Sequence, residues 1–196
     1  HIDDYFYPTT DASFDSVAFA ASGYSSLSKF RLSNCDRMVK GLYNAVKSAN
    51  SKAIFGASTQ GNVNNNLQFM YADVKKWCSQ SGYVDYMAPQ IYYGFKNSGQ
   101  PYVTCLNEWQ TMVSGTGVKI IPGLAVYKIG EVDAYGGATG KNEWIEDEQI
   151  IKRQIIASRE IKNYGGFVLY SYNYVFSPSA HQEQIEAEMQ AVKELI

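Results

Sequence analysis

The chain has 196 residues, enough for one substantial core, and its 45% hydrophobic and 18% charged content excludes a disordered polymer. A net charge of -2 and a pI near 5.7 argue against nucleic-acid binding, which needs a basic face. The longest apolar runs, such as residues 120–126, are strand-sized, so no membrane span is expected.

The first eight residues, His1-Ile2-Asp3-Asp4-Tyr5-Phe6-Tyr7-Pro8, read as the end of an extended segment carrying two adjacent carboxylates and three aromatics. On that reading the strand begins before His1. Met38, Val39, Leu42, Tyr43 and Val46 recur at helical spacing and predict a helix over 35–49, with Asn34 as its N-cap. Residues 52–58 predict a short buried strand and 59–66 a polar loop. Phe69, Met70, Val74 and Trp77 predict one helix, and residues 83–91 a strand. Leu106, Trp109, Met112 and Val113 predict a helix ended by Gly115 and Gly117. The most apolar predicted strand covers 118–127. A glycine-rich loop over 130–140 exceeds ordinary connector length, a trait of binding lids, and leads to a long predicted helix over 146–163. Gly165 and Gly166 introduce a strand over 167–170, and Ser177-Pro178 opens a last helix ending near Leu195.

Apolar strands alternating with amphipathic helices argue for a parallel sheet covered by helices. An open doubly wound sheet and a (β/α) barrel both fit. The chain has no G-x-G-x-x-G and no P-loop, which weakens a nucleotide-binding open sheet. Cys35, Cys78 and Cys105 fall in or near predicted helices without C-x-x-C spacing, so buried free thiols are expected. No metal and no cofactor is expected either.

In a (β/α) barrel, functional groups sit at the C-terminal ends of strands. Those ends carry Asp3, Asp4 and Tyr5, then Ser58, Gln60 and Asn62, then Gln90, Tyr92 and Tyr93. The later strands supply Tyr127 and Lys128, then Tyr170, Tyr172 and Asn173. The set is carboxylates, amides, phenols and one lysine, with no Ser-His-Asp arrangement. Glycoside hydrolysis uses one carboxylic acid to protonate the leaving oxygen and usually a second as base or nucleophile. Adjacent strand residues point to opposite faces, so Asp3 and Asp4 do not form that pair between themselves. One faces the pocket as acid or base; a surface Asp-Asp turn is the competing reading. Glu131, Asp133 and Glu143 are spare candidates for the second carboxylate. Gln90 and Asn62 would hold sugar hydroxyls or be solvated loop amides. Lys128 would bind an anionic group or be a surface lysine. Tyrosine offers an apolar face and a hydroxyl, which suits sugar rings. Trp77 and Trp109 lie at helical core positions, while Trp144 is a stacking platform or a helix staple.

Several blocks are distinctive together: the first eight residues, Phe55-Gly-Ala-Ser58 with Gly61-Asn62, and Tyr71-Ala-Asp-Val74 with Trp77. To these are added Val84-Asp-Tyr-Met-Ala-Pro-Gln-Ile-Tyr92, Gly123-Leu-Ala-Val-Tyr-Lys128 and Gly166-Phe-Val-Leu-Tyr-Ser171. In this order they resemble the glycosyl hydrolase-like 10 family through nearly the whole chain. The resemblance implies an α/β fold, a (β/α)8 TIM-type barrel that is partial, with about strands four to eight present. Residues 1–196 would then be a single glycoside-hydrolase-like barrel domain lacking its N-terminal strands, since a full barrel takes about 250 residues. Asp3 and Asp4 would be catalytic at the top of strand four, and strand five would cover 53–58. His1, Tyr5, Asn62, Gln90, Tyr92, Tyr127, Lys128 and Tyr170 would bind substrate. The family pattern has a tryptophan where Tyr93 stands, which would alter a stacking surface.

Members of that family include bacterial envelope proteins that act on glycan strands, peptidoglycan stripped of its stem peptides among them. More distant relatives hydrolyse partly deacetylated poly-N-acetylglucosamine. The resemblance thus implies an exported, periplasmic or cell-surface glycoside hydrolase with a polysaccharide substrate and no nucleic-acid partner. The alternatives are a non-catalytic carbohydrate-binding domain of the same fold and a structural fragment. Unpaired edges at strands four and eight would join the missing N-terminal half of the barrel or a second copy.

Overall fold

The structure, a computed structural model, describes residues 1–3, 6–177 and 179–196. Its described strands are β1 (Gly56–Gln60), β2 (Tyr86–Gln90), β3 (Lys119–Ile120), β4 (Gly123–Ala125) and β5 (Val168–Tyr170). Gly56 lies opposite Tyr86 and Gln60 opposite Gln90 in a parallel β1–β2 pair. β3 and β4 both run parallel to β2, and β5 runs parallel to β4. On the other side of β1, Ile2 bridges Ala57 in parallel. Order across the sheet therefore follows order along the chain, without the reversal that marks a doubly wound sheet. The arrangement is consistent with a partial α/β barrel.

Helices α1 (Ser16–Ala21) and α2 (Leu27–Ala49) precede β1; α3 (Val63–Phe69) and α4 (Val74–Ser79) join β1 to β2; α5 (Tyr102–Val113) joins β2 to β3. Between β4 and β5 run α6 (Gly137–Gly140), α7 (Glu143–Glu146) and α8 (Ile150–Arg159), and α9 (Tyr172–Phe176) and α10 (Gln182–Lys193) follow β5. The helical period explains which faces are buried: α5 hides Tyr102, Cys105, Leu106, Trp109 and Val113, spaced three and four apart. These side chains meet Met87, Ile120 and Leu124 from the sheet in one apolar core. Two of the buried indole N–H groups have partners: Trp77 donates to Asp36 and Trp109 to the Gly61 carbonyl, each at 2.7 Å. Among the described residues, no helix is long and apolar enough to cross a membrane.

Several boundaries differ from the sequence expectation for identifiable reasons. α2 starts at Leu27, where Ser26 Oγ accepts the Lys29 N–H at 3.4 Å. Asn34 is inside that helix and donates to the Tyr7 hydroxyl at 3.0 Å. The first strand extends past Ser58 to Gln60, and the expected loop behind it is helix α3. One helix was expected around Phe69 to Trp77; there are two, because Tyr71 adopts φ 52 and Asp73 caps a fresh start at α4. The expected strand over 118–127 is split into β3 and β4 around Pro122, which has no N–H for a ladder. The long helix expected over 146–163 is the shorter α8. Pro178 lies outside the described residues. All three cysteines are buried free thiols, as expected.

Arg31 secures the segment before α1. It is fully buried on α2, and its guanidinium pairs with Asp15 at 2.6 Å, bonds the Thr9 and Asp11 carbonyls, and lies over the Tyr7 and Tyr71 rings.

Candidate functional site

Alternate residues of a strand share a face. On β2, Met87 is packed in the core while Tyr86, Ala88 and Gln90 face the other way. The register sets Gly56 beside Tyr86 and Ser58 beside Ala88, and His1 and Asp3 flank the bridging Ile2. This face holds a cleft of about 330 Å³ lined by His1, Asp3, Ser58, Gln90, Tyr92, Tyr127, Val168, Tyr170 and Tyr174. A larger groove of about 790 Å³ between α9 and α10 is mostly apolar and does not gather this chemistry.

On one side of the cleft, Gln90 Nε2 donates to Asp3 Oδ1 at 3.1 Å and to Ser58 Oγ at 3.2 Å. The amide thus ties β1 and β2 to the first segment through the Asp3 carboxylate. The opposite wall is aromatic. Tyr127 meets Tyr92 and Tyr170 edge to face, with centroids 5.7 and 6.0 Å apart, and Tyr174 lies 5.8 Å from Tyr127. Burial pushes the Tyr127 phenol up to about 12, so it stays protonated and can donate. His1 Nδ1 is 2.8 Å from the Tyr86 hydroxyl.

Six of the residues expected to act on a glycan therefore come together: His1, Asp3, Gln90, Tyr92, Tyr127 and Tyr170. Asp4 and Tyr5 lie outside the described residues. Asn62 and Lys128 are committed elsewhere. Asn62 Oδ1 accepts the Asn64 and Asn65 N–H groups as the N-cap of α3, at 2.9 and 3.1 Å. Lys128 Nζ donates to the Tyr92 carbonyl at 2.7 Å and pairs with Asp133 at 2.8 Å, so its charge is spent inside the fold. Tyr93 is not a cleft-lining residue either; burial pushes its phenol up to about 12.

The spare carboxylates also serve the framework. Glu143 is buried and accepts the Phe95 and Lys96 N–H groups at 2.7 and 2.8 Å. Asp133 holds Lys128 and the Tyr135 N–H, and Glu131 lies 3.2 Å from His181. The glycine-rich loop is pinned to the β2–α5 loop by Ser98 N–H to Gly136 O and Asn97 Nδ2 to Tyr135 O, which does not suit a free lid. Trp144 is 2% exposed, which excludes sugar stacking on it.

Two contributors escaped the sequence reading, Tyr174 and Tyr86, and Ser58 stood among the strand-end residues without an assigned role. Tyr86 carried a signal, since it precedes Gln90 by four strand positions and must share its face. Among the described residues, Asp3 is the one carboxylate that lines the cleft. It can accept sugar hydroxyls or act as a single acid or base. No group of three or more His, Cys, Asp or Glu among the described residues is placed to hold a metal ion.

Comparison with known proteins adds to this geometry. The family model described as glycosyl hydrolase-like 10 matches residues 1–137. Glycosyl hydrolase DigH of Escherichia coli (strain K12) is 26% identical over 200 aligned positions, covering 92% of this chain and 44% of that protein. Glycosyl hydrolase YngK of Bacillus subtilis (strain 168) is 28% identical over 192 positions, covering 87% of this chain and 36% of that protein. The chain spans less than half the length of these relatives.

Proposed function

This chain belongs to the glycosyl hydrolase-like 10 family, and from that premise we propose that its cleft is the glycan site of an O-glycoside hydrolase. The substrate is an amino-sugar polymer of the bacterial envelope, of the peptidoglycan or poly-N-acetylglucosamine type, and the protein is exported to meet it. The complete enzyme is a TIM-type (β/α)8 barrel to which these residues contribute about strands four to eight.

One observation carries the reading: a carboxylate oriented by an amide, Asp3 with Gln90, faces a wall of four tyrosines across one cleft. Tyrosine faces cover the apolar faces of pyranose rings, and their hydroxyls exchange hydrogen bonds with sugar hydroxyls. Asp3 protonates the glycosidic oxygen or activates water. A second carboxylate must stand roughly 5 to 9.5 Å away for the reaction to proceed. Asp4, or an acid from the rest of the longer protein, supplies it.

A second reading, carbohydrate binding without chemistry, is favoured by one observation. Among the described residues a single carboxylate lines the cleft, and Glu131, Asp133 and Glu143 are engaged elsewhere. A digestion assay with mass-spectrometric product analysis separates the readings. The 196-residue chain is compared with a protein extended upstream through three more strands, on denuded peptidoglycan and on partly deacetylated poly-N-acetylglucosamine. Cleavage by the extended protein supports the hydrolase; binding by both without cleavage by either supports the binding module.

A further inference from the structure

Tyr86 takes no part in that chemistry, yet it reaches across the sheet to the cleft. It stands on β2 opposite Gly56 of β1. Its ring lies over that glycine so closely that a β-carbon at position 56 would overlap the ring atoms. The absence of a side chain there lets the ring cross β1 and meet His1 on the far side. The two ring planes lie 13° apart, with Nδ1 and the hydroxyl oxygen at 2.8 Å.

We infer that Tyr86 is a positioning residue that fixes the ring and tautomer of His1, so that the cleft presents Nε2–H as a hydrogen-bond donor to a glycan oxygen. The inference rests on the reading of the cleft as a glycan site. A neutral imidazole has one donor and one acceptor nitrogen. The Tyr86 phenol is half-buried, which holds its proton on the oxygen and raises its pKa. In this arrangement its O–H donates to Nδ1, 2.8 Å away, and the imidazole proton sits on Nε2. Nε2 makes no hydrogen bond to the described residues. The cleft then offers a donor at His1 beside an acceptor at Asp3, a pair that matches a sugar hydroxyl in both of its roles. Had His1 kept its proton on Nδ1, the cleft would present two acceptors, and the single proton of the same hydroxyl could satisfy only one of them.

Long-range proton–nitrogen NMR on the labelled 196-residue chain, above the imidazole titration, tests this directly. The expected result is a dominant Nε2–H tautomer in the native chain. Tyr86→Phe keeps the ring and removes the hydroxyl; Gly56→Ala keeps the hydroxyl and displaces the ring. Both should return His1 to a mixed tautomer population. Titration with N-acetylglucosamine oligomers should show a Kd raised about three- to tenfold in Tyr86→Phe, the loss of one hydrogen bond. Tyr86→Phe added to His1→Ala should cost nothing further, because both act through one imidazole. An Nδ1–H tautomer in the native chain would overturn the inference. So would an unchanged tautomer in a folded Tyr86→Phe protein. Failure of the native chain to bind any oligomer refutes the glycan reading instead, and the tautomer measurement still decides what Tyr86 does.

Discussion

The Gln90 amide donates to Asp3 Oδ1 at 3.1 Å, joining residues 87 positions apart across β1. One of the carboxylate's oxygens is thereby held by a neutral donor that also anchors Ser58. Gln90→Ala removes this hydrogen bond from both Asp3 and Ser58. In the complete protein its turnover should fall about tenfold while Asp3→Asn falls further, as measured by reducing-end release.

Asp3→Asn replaces the acid with an isosteric amide. General acid–base catalysis contributes about 10²- to 10⁴-fold, so turnover should drop by at least about 100-fold. Asp3 is exposed, and stability should change by no more than about 0.5 kcal/mol. Asp4→Asn belongs in the same assay. Unchanged rates in both variants would remove the carboxylates from the mechanism.

Tyr127 touches Tyr92, Tyr170 and Tyr174 and is the hub of the aromatic wall. Tyr127→Ala should weaken oligosaccharide binding about two- to twelvefold, the equivalent of an aromatic contact worth about 0.5–1.5 kcal/mol. Tyr127→Phe should retain most of the affinity. Calorimetric titration distinguishes the two, and equal losses would mean that the hydroxyl, not the ring face, does the binding.

Arg31 is fully buried and Asp15 nearly so, and they are joined at 2.6 Å. Arg31→Met leaves that carboxylate and two backbone carbonyls without their partner. Breaking one side of a buried pair costs about 3–5 kcal/mol, which urea unfolding would register. Arg31→Lys should not rescue, because one ammonium cannot reproduce the guanidinium fork.

The same pair sets an acid limb. The hydrogen bond from Arg31 holds the Asp15 carboxyl below the usual carboxylate range, and that from Lys96 does the same for Asp147. A folded-state pKa below the unfolded value means that the stabilisation is complete above about pH 4 and is lost as pH falls through the lowered value. Unfolding free energy measured from pH 6 downward should therefore drop below about pH 4. Asp15→Asn should flatten that drop, and an unaltered slope would rule Asp15 out as its source.

Burial pushes the thiols of Cys35, Cys78 and Cys105 up to about 12. At pH 8 the native chain should give almost no reaction with a thiol-specific disulfide reagent, and unfolding should expose all three.

Much of the fold was legible because burial is periodic. Leu106, Trp109 and Val113 announce α5, and the apolar run of β2 announces a strand covered by helices. What periodicity cannot see is a backbone break inside an unbroken pattern. Phe69, Met70, Val74 and Trp77 fit one helix, and only the left-handed Tyr71, with its hydroxyl bonded by Arg31 from 40 residues upstream, splits it in two. Residue type and strand end single out Asp3, Gln90, Tyr92, Tyr127 and Tyr170, which the fold brings together in one cleft. Type alone did not show what holds Asn62 and Lys128 in the fold. An amide suited to a sugar is equally suited to a helix N-cap, and a lysine's target is fixed by what the fold brings near it. Tyr86 was missed because its reach depends on the empty space at Gly56, a fact of register between two strands.

Lys128 carries one more consequence. With its ammonium engaged by the Tyr92 carbonyl and Asp133, it works as a brace between the ends of β2 and β4, and Tyr127 is the residue beside the brace. Its job is thus one of carpentry rather than attraction. Arginine in its place would keep the charge yet misfit a joint cut for a single compact donor. Damage at position 128 would surface as a slackened tyrosine wall, with the polarity of the groove left as it was.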